Sequence, residues 1–363
     1  MVRHLHPAAW WIWALALAAS ASLTTNPVLL AGHIAVLTFV VMSRRDGSPW
    51  GRAFRLYAVL GAVIVLTRVI LHLAVGLKFG QHRLFPLPTL DLPSWAAGIQ
   101  LGGTVYLEGL LAAALEGARL GTMILAIGAA NALASPKRLL KVFPAALHEI
   151  GAALVVAVTV APQLAESVQR VARARALRGE TSLRLRAFRG IAMPVLQDTL
   201  DRSMALAAAM DGRGYGRRTA SASRLTSGLT LLGLLGACVG LYGLLDSTSP
   251  AAFGVPVLAI GAALCIAGIW AGGRAVPRTI YRRDPWSGAE WLTVSCGLTA
   301  LAASIVSLRT SPGALAMPLQ PLGMPSLPIP VILGLIAAAA PALATPVPPL
   351  TSQRPERVQA VVA

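Results

Sequence analysis

The sequence predicts an all-α fold: a polytopic helical membrane protein that carries a helical cytoplasmic insert. Hydrophobic residues make up 56% of the 363 residues and charged residues only 12%, whereas soluble domains carry about 25% charged residues. Several apolar runs approach the roughly 17–25 residues that a bilayer span needs. In the middle of the chain these runs give way to an Arg-rich segment at residues 163–224.

The formal net charge of +17 has a topological explanation. Lys and Arg accumulate in the cytoplasmic loops of membrane proteins, so we expect the positive charge to reflect membrane topology. We do not expect nucleic-acid binding. The three cysteines, Cys238, Cys265 and Cys296, lie in or beside apolar runs. We expect them to be packing residues and not a disulfide framework.

Four apolar runs make up the N-terminal membrane part. The first is expected to stay in the chain as a span, because a second apolar run follows it at once. Pro27 starts the second, since Pro is favoured in the first turn of a helix, and the basic residues 44–55 predict a cytoplasmic loop after it. The predicted spans are residues 10–23, 28–42, 54–75 and 105–133, with an external loop at 78–100.

Three charged residues, Arg68, Glu116 and Arg119, fall deep inside these spans. Glu116 and Arg119 are three residues apart and can pair on one helix face. Charged side chains at membrane depth face protein or water, and they belong either to a structural pair or to a functional pathway. Both interpretations stay open. Glu108, by contrast, is expected near the end of its helix.

The run at residues 145–161 is bounded by Pro144 and Pro162 and is only marginally long enough to span a bilayer. Basic loops flank it on both sides, and both favour the cytoplasm. Whether this run crosses the membrane stays open. Elsewhere the basic clusters predict that the N-terminus, the insert and the C-terminus are cytoplasmic. The later predicted spans are residues 225–245, 255–271, 289–307 and 330–344.

Two amphipathic helices are predicted within the insert, which holds twelve Arg, five acidic residues and no Lys. Apolar side chains recur at helical spacing along one face of each helix. The second helix is expected to begin just after Pro194, a favoured entry residue. The stripe residues are Leu164, Val168 and Val171 in the first helix, and Leu196, Leu200, Met204 and Ala207 in the second.

Both insert helices end in Arg followed by Gly, as Arg178-Gly179 and Arg213-Gly214. Gly relieves the left-handed conformation at a helix C-terminus, and a cation there complements the helix dipole. Capping alone explains one such ending. Two of them in one insert favour a second interpretation, in which each guanidinium is presented outward as a fork of donors for carboxylates or carbonyls.

The motifs of the insert, taken together, resemble the transmembrane T component of energy-coupling factor transporters, the family that includes the cobalt-transport permease proteins. Members carry two Ala-Arg-Gly motifs at the ends of cytoplasmic coupling helices. Here Leu177 and Gly212 replace the Ala before each Arg, while the Arg-Gly core is intact. The resemblance is carried by Ala161-Pro162-Gln163-Leu164-Ala165-Glu166, Arg175-Ala176-Leu177-Arg178-Gly179, Pro194-Val195-Leu196 and Ala209-Met210-Asp211-Gly212-Arg213-Gly214-Tyr215-Gly216.

This resemblance implies a non-enzymatic coupling subunit, in the plasma membrane, of an ATP-driven importer for a vitamin or metal ion. Two ABC-type ATPase subunits would dock on Arg178, Gly179, Arg213 and Gly214, and a separate membrane S component would bind the substrate. The α-helical stripe from Leu196 to Ala207 would pack against the S component or the other coupling helix. The predicted domains are 1–162 and 225–345 in the membrane, 163–224 as the coupling insert, and 346–363 as a disordered cytoplasmic tail.

The chain contains no Walker A pattern, so ATP hydrolysis is expected from a partner. The six His are scattered without metal-ligand spacing, and neither a cofactor nor a metal site nor enzymatic activity is expected. An alternative function from a different class is a self-contained secondary transporter or channel that uses Arg68, Glu116 and Arg119. Such folds often contain inverted repeats, and no convincing repeat relates the early and late spans.

Overall fold

Helices dominate the chain, whose structure is a computed structural model. It describes residues 5–45, 54–75, 79–90, 101–134, 148–179, 185–214, 224–246, 253–274 and 286–346, together with Arg3, Leu139 and Pro250. The predicted tail at 346–363 lies outside these ranges from residue 347 onward. In chain order the elements are α1 (Pro7–Ser22), α2 (Pro27–Arg44), α3 (Phe54–Val75), β1 (Arg83–Leu90), β2 (Leu101–Tyr106), α4 (Leu107–Leu133), α5 (His148–Leu177), α6 (Leu185–Gly212), α7 (Arg224–Leu245), α8 (Val255–Arg274), α9 (Gly288–Thr310), a 3-10 turn (Pro312–Leu315), α10 (Ile329–Ala339) and α11 (Pro341–Ala344).

Six of the described helices are long and apolar enough to cross a membrane: α2, α3, α4, α7, α8 and α9. The prediction of an all-α polytopic membrane protein is thereby confirmed. The last predicted span, at residues 330–344, is divided between α10 and α11, because Pro341 starts a new helix after a turn at Ala340.

The chain divides into two compact units. The first combines Met1–Leu139 with Arg283–Ala363, and the second is Leu140–Arg282. Helices α1–α4 and α9–α11 belong to the first unit, and α5–α8 belong to the second. The finer division into membrane parts, insert and tail that the sequence suggests stays a prediction.

Helix α1 forms the centre of the first unit. Its Trp13 and Leu17 are fully buried, and they lie in one core cluster with apolar residues of α2, α4, α9 and α10. Pro27 occupies the first turn of α2, as the sequence predicts. Asn26 caps this helix, because its Oδ1 accepts the backbone N–H of Val28 at 3.0 Å.

Helices α1 and α9 run parallel, with their N-termini at the same end of the unit. At that end Arg3 donates to Glu290 at 2.9 Å, and about four turns of helix further along α9 Ser304 Oγ lies 2.7 Å from Ser20 Oγ. Near the opposite end the backbone N–H of Thr25 donates to the carbonyl of Leu315 at 2.9 Å. The chain segments before α1 and before α9 are therefore on the same side.

A buried polar network joins α1, α2 and α9 in this core. His33 Nδ1 lies 2.8 Å from the carbonyl of Leu29, which can only accept, so Nδ1 donates and Nε2 accepts from Ser20 Oγ at 2.8 Å. Ser20 in turn contacts Ser304. His33, Ser20 and Ser304 thus each have a partner, as buried polar side chains between packed helices usually do.

Helix α4 returns antiparallel along α3 at very short distance. Asn131 Nδ2 donates to Tyr57 Oη at 3.0 Å near one end of the pair. Further along, a Cβ on Gly61 would lie 3.2 Å from the carbonyl oxygen of Gly121. Small residues at such a crossing allow the two backbones to approach, as is common between membrane helices.

The loop predicted at residues 78–100 contains strand β1, which pairs antiparallel with β2 directly after the loop. This hairpin was not predicted from the sequence. Glu108, in the first turn of α4, anchors this hairpin. Its carboxylate accepts the backbone N–H of Gln81 at 3.0 Å and His82 Nδ1–H at 2.7 Å. The expectation that Glu108 lies at a helix end is confirmed.

Two helix boundaries predicted in the second unit are wrong. Helix α5 runs without a break through Pro162, and α6 starts at Leu185 and runs through Pro194. A proline removes one hydrogen bond of the helix ladder, and the good helix formers on both sides of each proline continue the helix. The predicted boundary at residues 162/163 therefore falls inside one helix.

Candidate functional site

The turn after α5 has the geometry of a glycine-capped helix end. The backbone N–H of Arg178 donates to the carbonyl of Arg175 at 3.0 Å, and that of Gly179 donates to the carbonyl of Ala176 at 3.0 Å. Gly179 has φ +80°, in the left-handed region that residues with a Cβ avoid. The Arg178 side chain is thus carried at the end of the helix.

The turn after α6 repeats this geometry. Arg213 donates its backbone N–H to Met210 at 3.1 Å, Gly214 donates to Asp211 at 2.8 Å, and Gly214 has φ +78°. The two Arg-Gly turns are therefore built in the same way, as the sequence indicates.

Both turns are open to their surroundings. Arg178 and Arg213 are exposed, and the apolar Leu177 beside the first turn is 90% exposed. A Cβ placed on Gly179 or Gly214 would meet no atom within 4 Å. Glycine is thus required at these positions by backbone conformation, and the space next to each turn is free.

Neither Arg is engaged within the part of the chain that the structure describes. No carboxylate of those residues lies within ion-pair distance of the guanidinium of Arg178 or Arg213. An exposed guanidinium offers five N–H donors in a planar fork. The two turns are therefore cationic donor groups available to an acidic or carbonyl-bearing surface.

A polar contact joins the two helices that carry these turns. Ser167 Oγ on α5 donates to Asp198 Oδ2 at 2.7 Å, and Arg202 Nε donates to Asp198 Oδ1 at 3.0 Å. The hydrogen bond from Ser167, followed by that from Arg202, lowers the pKa of the Asp198 carboxyl below its usual value. Ser167 and Val195 are the buried residues of this contact.

The contacts of α5 with α6 run in opposite directions along the two helices. Ser167 meets Asp198, whereas Arg175, later in α5, lies against Gly190, earlier in α6. This antiparallel arrangement puts the two Arg-Gly turns beyond opposite ends of the contact. At about 1.5 Å per residue, they are separated by on the order of 30–40 Å.

The predicted apolar stripes have different surroundings. On α5, Leu164 and Val171 are half-buried while Val168 is exposed. On α6 the whole stripe is exposed, with Leu196, Leu200 and Met204 each more than 60% accessible and Ala207 also exposed. The α6 stripe therefore does not pack against α5, and its contact with a partner stays a prediction.

The residues that hold α5 and α6 together were not predicted from the sequence. Asp198 and Arg202 are four residues apart, a spacing that indicates a pair on a helix surface. The contact of Asp198 with Ser167 forms only when the two helices pack together, so the sequence does not indicate it. Ser167, Val195 and Asp198 position the candidate site without forming part of either turn.

The charged residues in the spans pair differently from the sequence prediction. Glu116 of α4 forms its ion pair with Arg68 of α3, not with Arg119. Tertiary packing of α3 on α4 brings Arg68 closer than the helix spacing brings Arg119. Over the described ranges no cluster of three or more His, Cys, Asp or Glu has the arrangement of a metal site.

The chain is similar to a known protein family. A sequence model of the family described as cobalt transport protein, CbiQ, matches residues 1–222. These residues include α1–α6 and both Arg-Gly turns, and they make up more than half of the chain. No curated protein matches the chain, and no solved structure matches it. The match confirms the resemblance inferred from the insert motifs: the chain belongs to the cobalt transport protein family.

Proposed function

We propose that this protein is the transmembrane coupling subunit of an energy-coupling factor importer, driven by two ABC-type ATPase subunits. One observation carries the proposal: two Arg-Gly turns of the same geometry lie at opposite ends of an antiparallel helix pair. Each turn presents an exposed guanidinium that has no ion-pair partner among the described residues. A pair of equivalent docking points is what two copies of a similar partner would require.

The charge of the helix pair supports a cytoplasmic location. Neither α5 nor α6 is among the candidate membrane spans of the described residues. The segment at 163–224 contains twelve Arg against five acidic residues, and positive charge accumulates on the cytoplasmic side. Cytoplasmic ATPases would therefore meet both turns.

The packing of the first unit supports the same orientation for both termini. The N-terminal ends of α1 and α9 lie on one side, and in the sequence the basic residues Arg282 and Arg283 precede α9. Trp13 Nε1 donates to the carbonyl of Ala338, so α10 leads the chain back toward that side. The N- and C-termini are then cytoplasmic.

In this function ATP binding and hydrolysis take place on the partners, because the chain has no Walker A pattern. Closure of the ATPases would move α5 and α6 through Arg178 and Arg213. The exposed α6 stripe from Leu196 to Ala207 would transmit that motion to a membrane S component that binds the cobalt ion or another substrate. The chain itself would be non-catalytic.

Removal of the two guanidinium groups tests this function. We expect Arg178→Ala with Arg213→Ala to reduce co-purified ATPase subunits about tenfold or more, because truncating the central Arg of an interface costs about 2 kcal/mol or more per site. The measurement is the ratio of ATPase to this chain after purification from membranes.

A matched control removes the same charge from the same helix pair. Arg170 and Arg173 are exposed cations of α5 that precede the Arg-Gly turn and form no part of it, and Arg170→Ala with Arg173→Ala should retain the ATPases. Full ATPase binding by the Arg178/Arg213 variant would contradict the docking role. Loss of membrane insertion by that variant would instead indicate that the two Arg only cap their helices. Substrate transport by the purified chain alone in liposomes, without ATP, would favour the secondary transporter.

A further inference from the structure

A half-exposed ion pair lies on the membrane helices α3 and α4. The side chains of Arg68 and Glu116 are 45% and 46% exposed. Helix α3 packs chiefly on α4, and along its length Phe54 and Gly61 alone are buried. The pair therefore sits on an outward-facing surface of the first unit.

This pair is deep within its helices. At about 1.5 Å per residue, Arg68 is on the order of 10 Å from the end of α3, and Glu116 about 14 Å and Arg119 about 18 Å from the start of α4. The hydrocarbon core is about 30 Å thick. Charged groups at such depth face protein or water and not lipid chains, so this surface requires a polar cover.

The charges of the surface do not balance. Glu116 is engaged by Arg68, and Arg119 lies on the same side of α4 one turn away. Over the residues that the structure describes, no carboxylate lies within ion-pair distance of Arg119, which is half-buried. The group of Arg68, Glu116 and Arg119, called the charged face below, thus carries one uncompensated positive charge.

This chain has no spare carboxylate in its spans to provide the compensation. Helices α7 and α8 contain no acidic residue. Glu108 and Glu290 are buried and already accept several hydrogen bonds. A second copy of the chain would present the same set of residues. Since the described spans offer no further carboxylate, a different membrane protein is the source of the complementary acid that fits this face.

We propose that the charged face is the docking site for a transmembrane helix of a partner protein, whose Asp or Glu side chain pairs with Arg119. Gly117 leaves room for the aliphatic part of Arg68 on the charged face, because a Cβ at position 117 would lie 3.3 Å from Arg68 Cβ. This inference rests on the proposed function, in which a substrate-binding membrane protein accompanies the chain. It assigns that partner a second contact, inside the bilayer.

Photo-crosslinking in native membranes tests the docking site. A benzophenone amino acid is placed at Leu71 or Leu120, exposed positions one turn from Arg68 and Glu116. The control position is Phe39 on α2, which is exposed to a similar degree. We expect adducts from Leu71 and Leu120 but not from Phe39. Mass spectrometry should identify a membrane-spanning peptide of another polypeptide, with Asp or Glu within one helical turn of the crosslink.

A charge variant tests whether the partner helix pairs with Arg119 or only lies near it. Arg119→Leu should lower the adduct yield about fivefold, the scale of one polar contact between membrane helices. Arg309→Leu, in the last turn of α9, should leave the yield unchanged. Adducts only with lipid, with a second copy, with α7 or α8, or with a peptide lacking an acid would overturn the docking site. Retention of the ATPases in the same samples would show that the coupling function survives that failure.

Discussion

At the scale of single residues, Gly212 and Gly214 have opposite roles within one helix end. Gly214 has φ +78°, while Gly212 is the last helical residue of α6, and both have open space around them. Gly214→Ala should destabilise the turn by about 1 kcal/mol through strain, and Gly212→Ala should stabilise the last turn by about 0.5–1 kcal/mol. Hydrogen–deuterium exchange of the α6 C-terminus measures both changes.

The two variants are controls for each other, since each adds one methyl group to the same helix end. Slower exchange in Gly214→Ala would contradict the conformational role of that glycine. Gly212→Ala also restores the residue that precedes Arg in the Ala-Arg-Gly motif. If a flexible tip weakens docking, ATPase co-purification should increase in this variant.

The sequence predicts local residue geometry better than distant pairing. The caps at Asn26, Gly179 and Gly214 follow from residue type and helix periodicity, which act within a few residues. The pairing of Glu116 with Arg68 joins residues on two helices. It depends on how closely α3 approaches α4, which no local pattern encodes.

At the scale of elements, acid pH should loosen the contact of α5 with α6. The hydrogen bonds from Ser167 and Arg202 lower the pKa of Asp198 in the folded protein. A lowered folded pKa means that the stabilisation is fully present above the unfolded carboxyl pKa, about 3.9. It is lost as the pH falls below that value through the lowered pKa of the folded state.

Spin labels at Gln169 and Gln197, exposed on the two helices, measure this loosening. In a background without other labels, their distance distribution should broaden below about pH 4. Asp198→Asn should remove the pH dependence, while Asp201→Asn, which leaves the Ser167–Asp198 contact intact, should keep it. An unchanged distribution in the native sequence at pH 3 would contradict the role of Asp198.

Proline placement explains why the predicted elements of the insert were too short. Pro162 and Pro194 suggested helix boundaries, yet α5 and α6 continue through both. Pro is disfavoured in a helix interior but does not forbid it where the flanking turns are stable. The hairpin of β1 and β2 was not predicted, because its strands pair across residues that are far apart in the sequence.

At the scale of the whole molecule, chain connectivity limits the number of membrane crossings. Ala21, Leu30 and Leu115 cluster where α1 ends and α4 begins, so α4 runs back toward the start of α1. The chain therefore leaves the first unit after α4 on the side at which it re-enters before α9. An even number of crossings must lie between, and α7 and α8 account for two.

With α7 and α8 as the two crossings, we expect that α5, and with it the run at residues 145–161, does not cross the membrane by itself. Leu177 is the last residue of α5 and is 90% exposed. We expect Leu177→Cys to react with a membrane-impermeant maleimide only after permeabilisation. Met324→Cys, at a position 95% exposed between α9 and α10, should react in intact cells. Both substitutions are made in a chain without its natural cysteines. Labelling of residue 177 from outside would mean that α5 spans the bilayer, and the Arg-Gly turn at Arg178 would then be on the wrong side to meet cytoplasmic ATPases.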